Sequence, residues 1–94
     1  MFEMRRNDDG VFRLSGRLDA SQADHAQEDF QALSGPLTLD FTDLEYISSA
    51  GIAVLVQTYK RLRESGHDMR LVNLTPRVRN VFTYAGLNRL FIIE

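Results

Sequence analysis

Cysteine is absent from the 94-residue chain, which excludes disulfides, thiol catalysis, iron–sulfur clusters and thiolate zinc sites. No apolar run approaches the ~18 residues that a membrane-spanning helix needs, and residues 1–6 lack the apolar centre of a signal peptide. The 13 acidic and 11 basic residues form no run of one sign. The sequence therefore lacks both the basic surface typical of nucleic-acid-binding proteins and a polybasic membrane anchor. These absences predict a cytoplasmic protein.

Motifs for catalysis and cofactor binding are also missing. The sequence contains neither G-x-x-x-x-G-K-[ST] nor G-x-G-x-x-G. Its two histidines, His25 and His67, have no partner at metal-ligand spacing, and neither is placed beside a serine as a catalytic triad requires. A loose acidic group without ordered ligand spacing is expected to be a solvated loop rather than a cation site; its members are Asp40, Asp43 and Glu45. We expect no enzymatic activity, no cofactor and no metal.

What remains is the composition of one small globular domain spanning 1–94. Hydrophobic residues make up 44% of the chain and charged residues 26%, which is ordinary globular usage. A chain of this length builds one thin core and is too short for two domains.

The first third of the chain predicts a β-hairpin followed by a helix. Strand-like runs at Phe2–Arg6 and 11–15 flank residues 7–10, which are rich in turn-forming residues. Apolar residues at spacings of three and four then predict the helix; they are Ala23, Ala26, Phe30 and Leu33. Either Asp19 or Ser21 is positioned to cap it.

Strands and helices alternate through the rest of the chain. Strands are predicted at 37–41, 69–74 and 90–93, and the longest helix at about 50–64. Residues 42–46 are predicted to be a connection. A third helix begins at Thr75 and Pro76 and ends at Gly86. The order β-β-α-β-α-β-α-β predicts an α/β fold with a mixed sheet and three to four helices, because strands joined by helices pair in parallel.

The local sequence Ser48-Ser49-Ala50-Gly51 lies between a strand and the start of the longest helix. Amides at a helix start point outward and carry partial positive charge, so a hydroxyl there can accept a phosphate group. The alternative is structural: one serine caps the helix, and Gly51 permits close packing. The two interpretations are compatible, because one residue can serve both purposes.

The residue spacing along the long helix also predicts a contact surface. Its apolar stripe contains Ile52 and Leu55, whereas four residues point away from that stripe; they are Ala50, Val54, Gln57 and Arg61. Val54 is therefore predicted to be an exposed apolar residue one turn from the serines. Beside a helix start of small residues, it is a candidate contact for a protein partner.

In order and spacing, a set of short segments resembles the STAS domain, the fold of the anti-sigma factor antagonists. The segments lie at 14–19, 39–44, 47–55, 59–60, 74–78 and 86–87. The family motif is Asp-Ser-Ser/Thr-Gly, with the first serine phosphorylated. Aligned on Gly51, that serine is Ser49, with Ser48 in place of the aspartate and Ala50 in place of the second hydroxyl residue.

The resemblance implies a protein that binds an anti-sigma factor, itself a serine kinase, and loses that partner when Ser49 is phosphorylated. A phosphatase then restores binding. Ser48 is the second candidate for modification. The expected partner contacts are Asp19, Ser48, Ala50, Gly51, Val54 and Gln57, and the free protein is expected to be a monomer.

Two other functions are compatible with the sequence. The domain can be a regulatory or structural subunit of a lipid or anion transport complex, in which case Ser49 is only a helix cap. A nucleotide-binding or hydrolytic activity is disfavoured because no phosphate-binding loop is present.

Overall fold

The structure, a computed structural model, describes residues 1–87 and 89–93. Its elements follow the predicted order. They are β1 (Phe2–Arg6), β2 (Phe12–Leu18), α1 (Ala23–Gln31), β3 (Leu37–Ile47), α2 (Ser49–Glu64), β4 (Met69–Val72), α3 (Pro76–Tyr84) and β5 (Ile92–Ile93). None of the described helices is both long enough and apolar enough to cross a membrane.

One mixed sheet organises the molecule, with its strands in the order β1-β2-β3-β4-β5. The hairpin strands β1 and β2 are antiparallel, and each later pair is parallel. Gly10 closes the hairpin turn with a positive φ of 83°, and its amide donates to the Asn7 carbonyl at 3.1 Å. Right-handed crossovers between successive neighbours place all three helices on the same face of the sheet.

The core lies between that face and the helices. The central strands present apolar residues to it, such as Leu14 and Leu18 on β2. The helices contribute large side chains including Phe30, Leu55 and Phe82. Burying a side chain of this size stabilises the fold by about 1.5–3 kcal/mol. The apolar stripes of the sequence are therefore accounted for by one shared core.

The opposite face of the sheet carries polar and charged side chains. Arg13 on β2 lies 3.8 Å from Asp40 and 3.6 Å from Asp43 on β3. Arg17 stacks on the ring of Tyr46, with its guanidinium carbon 4.5 Å from the ring centre. Parallel sheets are usually covered on both faces. Here ion pairs and a cation–π contact make the second face compatible with water.

Strand β3 is longer than predicted, and residues 42–46 are part of it rather than a connection. Its pairing with β2 shifts register twice, so β3 contains extra residues relative to its neighbour. The buried residues Phe41, Leu44 and Ile47 are consequently spaced by three instead of two. Strict alternation fails across such bulges, and the sequence pattern therefore indicated a loop.

Candidate partner-binding site

The candidate site lies where the carboxyl ends of β2 and β3 meet. The Ser48 amide donates to the Leu18 carbonyl at 3.0 Å, which ties the start of α2 to the end of β2. Asp19 directly follows Leu18, and Ser49 directly follows Ser48. The structure thus brings together the acidic residue and the serine pair that the sequence separates by about 30 positions.

Ser48 is the N-cap of α2. Its hydroxyl oxygen accepts a hydrogen bond from the Gly51 amide at 3.2 Å, and the same hydroxyl donates to the Leu18 carbonyl at 3.4 Å. An aspartate at this position can make the same capping bond, because Asp and Ser are both preferred N-caps. The replacement of the motif aspartate by Ser48 therefore preserves the helix start.

Ser49 occupies the first helical position and is exposed. Within the described part of the chain its hydroxyl has no hydrogen-bond partner, unlike that of Ser48. The amides of Ser49 and Ala50 belong to the first turn of α2, where a helix has no acceptors of its own. The structural role of capping thus belongs to Ser48 and not to Ser49.

Gly51 is required by close packing at the helix start. A Cβ atom at this residue would lie 2.6 Å from the Leu18 carbonyl oxygen and 2.8 Å from Leu18 Cγ. Any other residue would push α2 away from β2. The prediction that Gly51 permits close packing is confirmed, and its buried position leaves a partner little of it to contact.

Asp19 is half-buried and forms a turn rather than a helix cap. Its Oδ1 accepts from the Ser21 hydroxyl at 2.7 Å and from the Ser21 amide at 3.1 Å. The hydrogen bond from the Ser21 hydroxyl outweighs desolvation and, with Arg17 nearby, lowers the pKa of Asp19 below its ordinary value. The N-cap of α1 is Gln22, which makes no side-chain capping bond. The prediction that Asp19 or Ser21 caps α1 is therefore wrong.

The exposure predicted for Val54 is also wrong, because that residue is only 4% exposed. Helix α1 lies along this side of α2, and Val54 forms part of the groove between them. Arg61, which belongs to the same side, donates from Nη2 to the Phe30 carbonyl at 2.8 Å. A second helix thus covers the surface that appeared free in the sequence.

An exposed row on α2 starts at Ser49 and continues through Ala53 and Gln57. These residues lie on one face, because they are four positions apart along the helix. Gln57 was predicted to lie at the surface, and it is exposed. Ala50, which lies beside the row, is half-buried. Ala53 was missed, although counting forward by four from Ser49 would have identified it.

The acidic group Asp40, Asp43 and Glu45 does not form a metal site. No group of three or more metal-ligating side chains lies close enough to hold an ion within residues 1–87 and 89–93. Burial alone would raise the pKa of Asp40. Hydrogen bonds from Thr42 and Asn73, with Arg13 close by, outweigh this effect and lower the pKa. Asp40 is thus a buried structural carboxylate rather than a solvated loop residue.

Comparison with known proteins places this geometry in one family. Two relatives are named anti-sigma-B factor antagonist. That of Listeria monocytogenes is 31% identical over 86% of this chain and 75% of its own. That of Bacillus subtilis is 25% identical over 98% of this chain and 88% of its own.

Solved structures give the same result for the fold. The unphosphorylated form of the anti-sigma factor antagonist SpoIIAA superimposes with a TM-score of 0.80 at 21% identity, over 100% of this chain and 88% of its own. The phosphorylated form of SpoIIAA from Bacillus gives a TM-score of 0.70 at 18% identity, over 100% of this chain and 91% of its own. The STAS domain model matches residues 2–94, and the chain therefore belongs to the STAS domain family.

Proposed function

We propose that this protein is a cytoplasmic anti-sigma factor antagonist whose binding to an anti-sigma factor is abolished by phosphorylation of Ser49. Relatives that cover most of the chain carry the name anti-sigma factor antagonist, which favours this function over that of a transport-complex subunit. The kinase is the anti-sigma factor itself, and a phosphatase reverses the modification. The free protein is a monomer.

The observation that carries the proposal is the division of labour between the two serines. Ser48 is half-buried and its hydroxyl bonds both the Gly51 amide and the Leu18 carbonyl. A phosphate on Ser48 would have to break those bonds. Ser49 is exposed and its hydroxyl has no hydrogen-bond partner among residues 1–87 and 89–93, so a kinase can reach it without unfolding the helix start.

Electrostatics explain why phosphate would release the partner. A phosphoserine carries about −1.5 to −2 charges. It would join the carboxylate of Asp19 at the same end of the sheet, which is ionised at neutral pH, as an aspartate of ordinary or lowered pKa is. The nearby Arg17 already contacts both Asp19 and Tyr46. Burying the extra charge against a kinase partner, whose catalytic site is itself acidic, costs roughly 3 kcal/mol, or about 100-fold in affinity.

The proposed contact surface comprises the exposed row of α2 and the turn at Asp19. Its members are Asp19, Ser48, Ser49, Ala50, Ala53 and Gln57. Gly51 positions the surface from below. Val54 is left out because helix α1 covers it.

The test is a binding assay with the cognate anti-sigma factor and ATP. Wild-type protein should gain one phosphate at Ser49 by mass spectrometry and lose affinity, and Ser49→Ala should stay bound. Ser49→Glu should bind more weakly than wild type. Ser48→Ala tests which serine is modified, since it removes the neighbouring hydroxyl and should still gain one phosphate at Ser49. Phosphate on Ser48, or equal binding of the Ala and Glu variants at position 49, would refute the proposal.

A further inference from the structure

A narrow groove separates α1 from α2 and opens beside the exposed row of α2. Its volume is about 110 Å³, well below the roughly 300 Å³ at which small-molecule sites begin. The lining residues are Gln27, Gln31, Val54, Gln57, Thr58 and Arg61. Gln57 belongs both to this lining and to the row that starts at Ser49, so the groove is continuous with the proposed contact surface. A groove of this size suits a single side chain of a protein partner.

Arg61 is the one charged residue among the described lining residues. It is half-buried, and its Nη2 donates to the Phe30 carbonyl at 2.8 Å. This bond holds the guanidinium at the groove, but it uses one of five N–H donors and leaves the charge in place. Among residues 1–87 and 89–93, no carboxylate forms an ion pair with Arg61. The groove therefore carries a positive charge without an anion of its own.

Three glutamine amides add further donors to the same groove. Gln27 is half-buried, whereas Gln31 and Gln57 are exposed. In the part of the chain that the structure describes, none of these three side-chain amides has a hydrogen-bond partner. A carboxylate accepts hydrogen bonds from both guanidinium and amide groups, whereas an ammonium group can accept none. Charge and donor chemistry therefore both favour an acidic side chain as the occupant.

We propose that the groove between α1 and α2 receives an aspartate or glutamate side chain of the anti-sigma factor, which pairs with Arg61. The occupant is the partner of the function proposed above, on which this inference rests. Because the Phe30 carbonyl already holds Arg61 in place, little side-chain freedom is lost on binding. Hydrogen bonds between a guanidinium and a carboxylate are stronger than neutral ones. The groove thus supplies a contact roughly 18 Å along α2 from Ser49, where a phosphate on that serine does not occupy it.

The experiment measures binding of the full chain to the cognate anti-sigma factor without ATP, so that no phosphate is added. Gln31→Glu places a carboxylate of this chain in the groove, where it competes with that of the partner, and should weaken binding about tenfold. Asn80→Asp is the matched control, because it makes the same amide-to-carboxylate change at an exposed residue of α3 and should leave affinity unchanged. Equal loss in both variants would mean that only net charge matters, and would overturn the proposal.

A second measurement reports on the guanidinium itself. In a ¹⁵N-labelled chain, the Nε–H signal of Arg61 should shift when the anti-sigma factor binds, and an unchanged signal would overturn the proposal. Failure of the proposed function gives a different result, namely equal binding of Ser49→Ala and Ser49→Glu. If Ser49→Glu binds weakly while Gln31→Glu binds like the wild type, the switch at Ser49 stands and the groove is not a contact.

Discussion

Replacing Gly51 with alanine tests how the candidate site is held in place, because two effects of known size oppose each other there. Alanine is the better helix former by about 1 kcal/mol, so propensity alone predicts that the variant is more stable. Packing predicts the opposite, since the new Cβ would lie 2.6 Å from the Leu18 carbonyl oxygen.

The geometry indicates which effect wins. Ordinary contact begins at 3.4 Å, so the helix start must move by about 0.8 Å relative to a backbone atom that cannot rotate away. The Leu18 carbonyl also accepts from the Ser48 amide at 3.0 Å, and this movement would strain that bond. Overpacking costs about 1–3 kcal/mol, and a weakened hydrogen bond costs up to about 1 kcal/mol more. The net expectation is a loss of about 1–2 kcal/mol.

Urea unfolding measures this difference in the free energy of unfolding directly. The midpoint urea concentration should fall while the dependence of the unfolding free energy on urea stays constant. Ala53→Gly is the matched control, because it reports the propensity term alone at an exposed position of the same helix and should cost about 1 kcal/mol. Binding of the cognate anti-sigma factor should weaken in Gly51→Ala, since Ser49 moves with the helix start. A variant more stable than wild type by about 1 kcal/mol would refute the packing argument.

Three further predictions concern hydrogen bonds seen in the structure. Ser48→Ala should cost about 1 kcal/mol in urea unfolding whereas Ser48→Asp should keep the cap; equal loss in both would contradict the capping role. The pKa of Asp40 is lower in the folded chain than in the unfolded one, so its stabilising contribution is present above about pH 4 and is lost as pH falls through the folded-state pKa. Asp40→Asn should cost about 1 kcal/mol at neutral pH. In thermal melts, the stability of this variant should also fall less than that of the wild type as the pH is lowered below about 4. An equal loss of stability on acidification in both proteins would argue against this account. Arg61→Met should speed amide exchange in α1 and cost about 1–2 kcal/mol, because Arg61 Nη2 binds the Phe30 carbonyl near the end of that helix; unchanged exchange would mean that the bond adds nothing.

Signals confined to a few neighbouring residues predicted the order of the elements and the start of α3 correctly. Thr75 and Pro76 indicated a helix start, and in the structure the Thr75 hydroxyl accepts from the Val78 amide with Pro76 in the first turn. The order of strands and helices was confirmed in the same way. Capping and turn formation depend on residues within one turn of each other, so the sequence contains all that is needed.

The errors arise where distant segments decide the outcome. Val54 appeared exposed because helical periodicity describes α2 alone, whereas its burial depends on how α1 packs against it. Asp19 appeared to cap α1, but its carboxylate is committed to Ser21 within the preceding turn. Which of Ser48 and Ser49 caps the helix likewise depends on the Leu18 carbonyl, which is 30 positions from Ser48 in the sequence. No local pattern contains these contacts.

The irregularity of β3 also determines where the candidate site lies. Its extra residues keep Phe41, Leu44 and Ile47 facing the core, although their spacing departs from the alternation of a regular strand. In a strand that alternated regularly from Phe41, Leu44 would face outward, because an odd number of positions separates the two residues. The pairing of β3 with β2 continues past its last pair with β4, Asp40 opposite Val72. This end of β3 is where the Ser48 amide reaches the Leu18 carbonyl, and so the irregular pairing of β2 and β3 positions Ser49 at the start of α2.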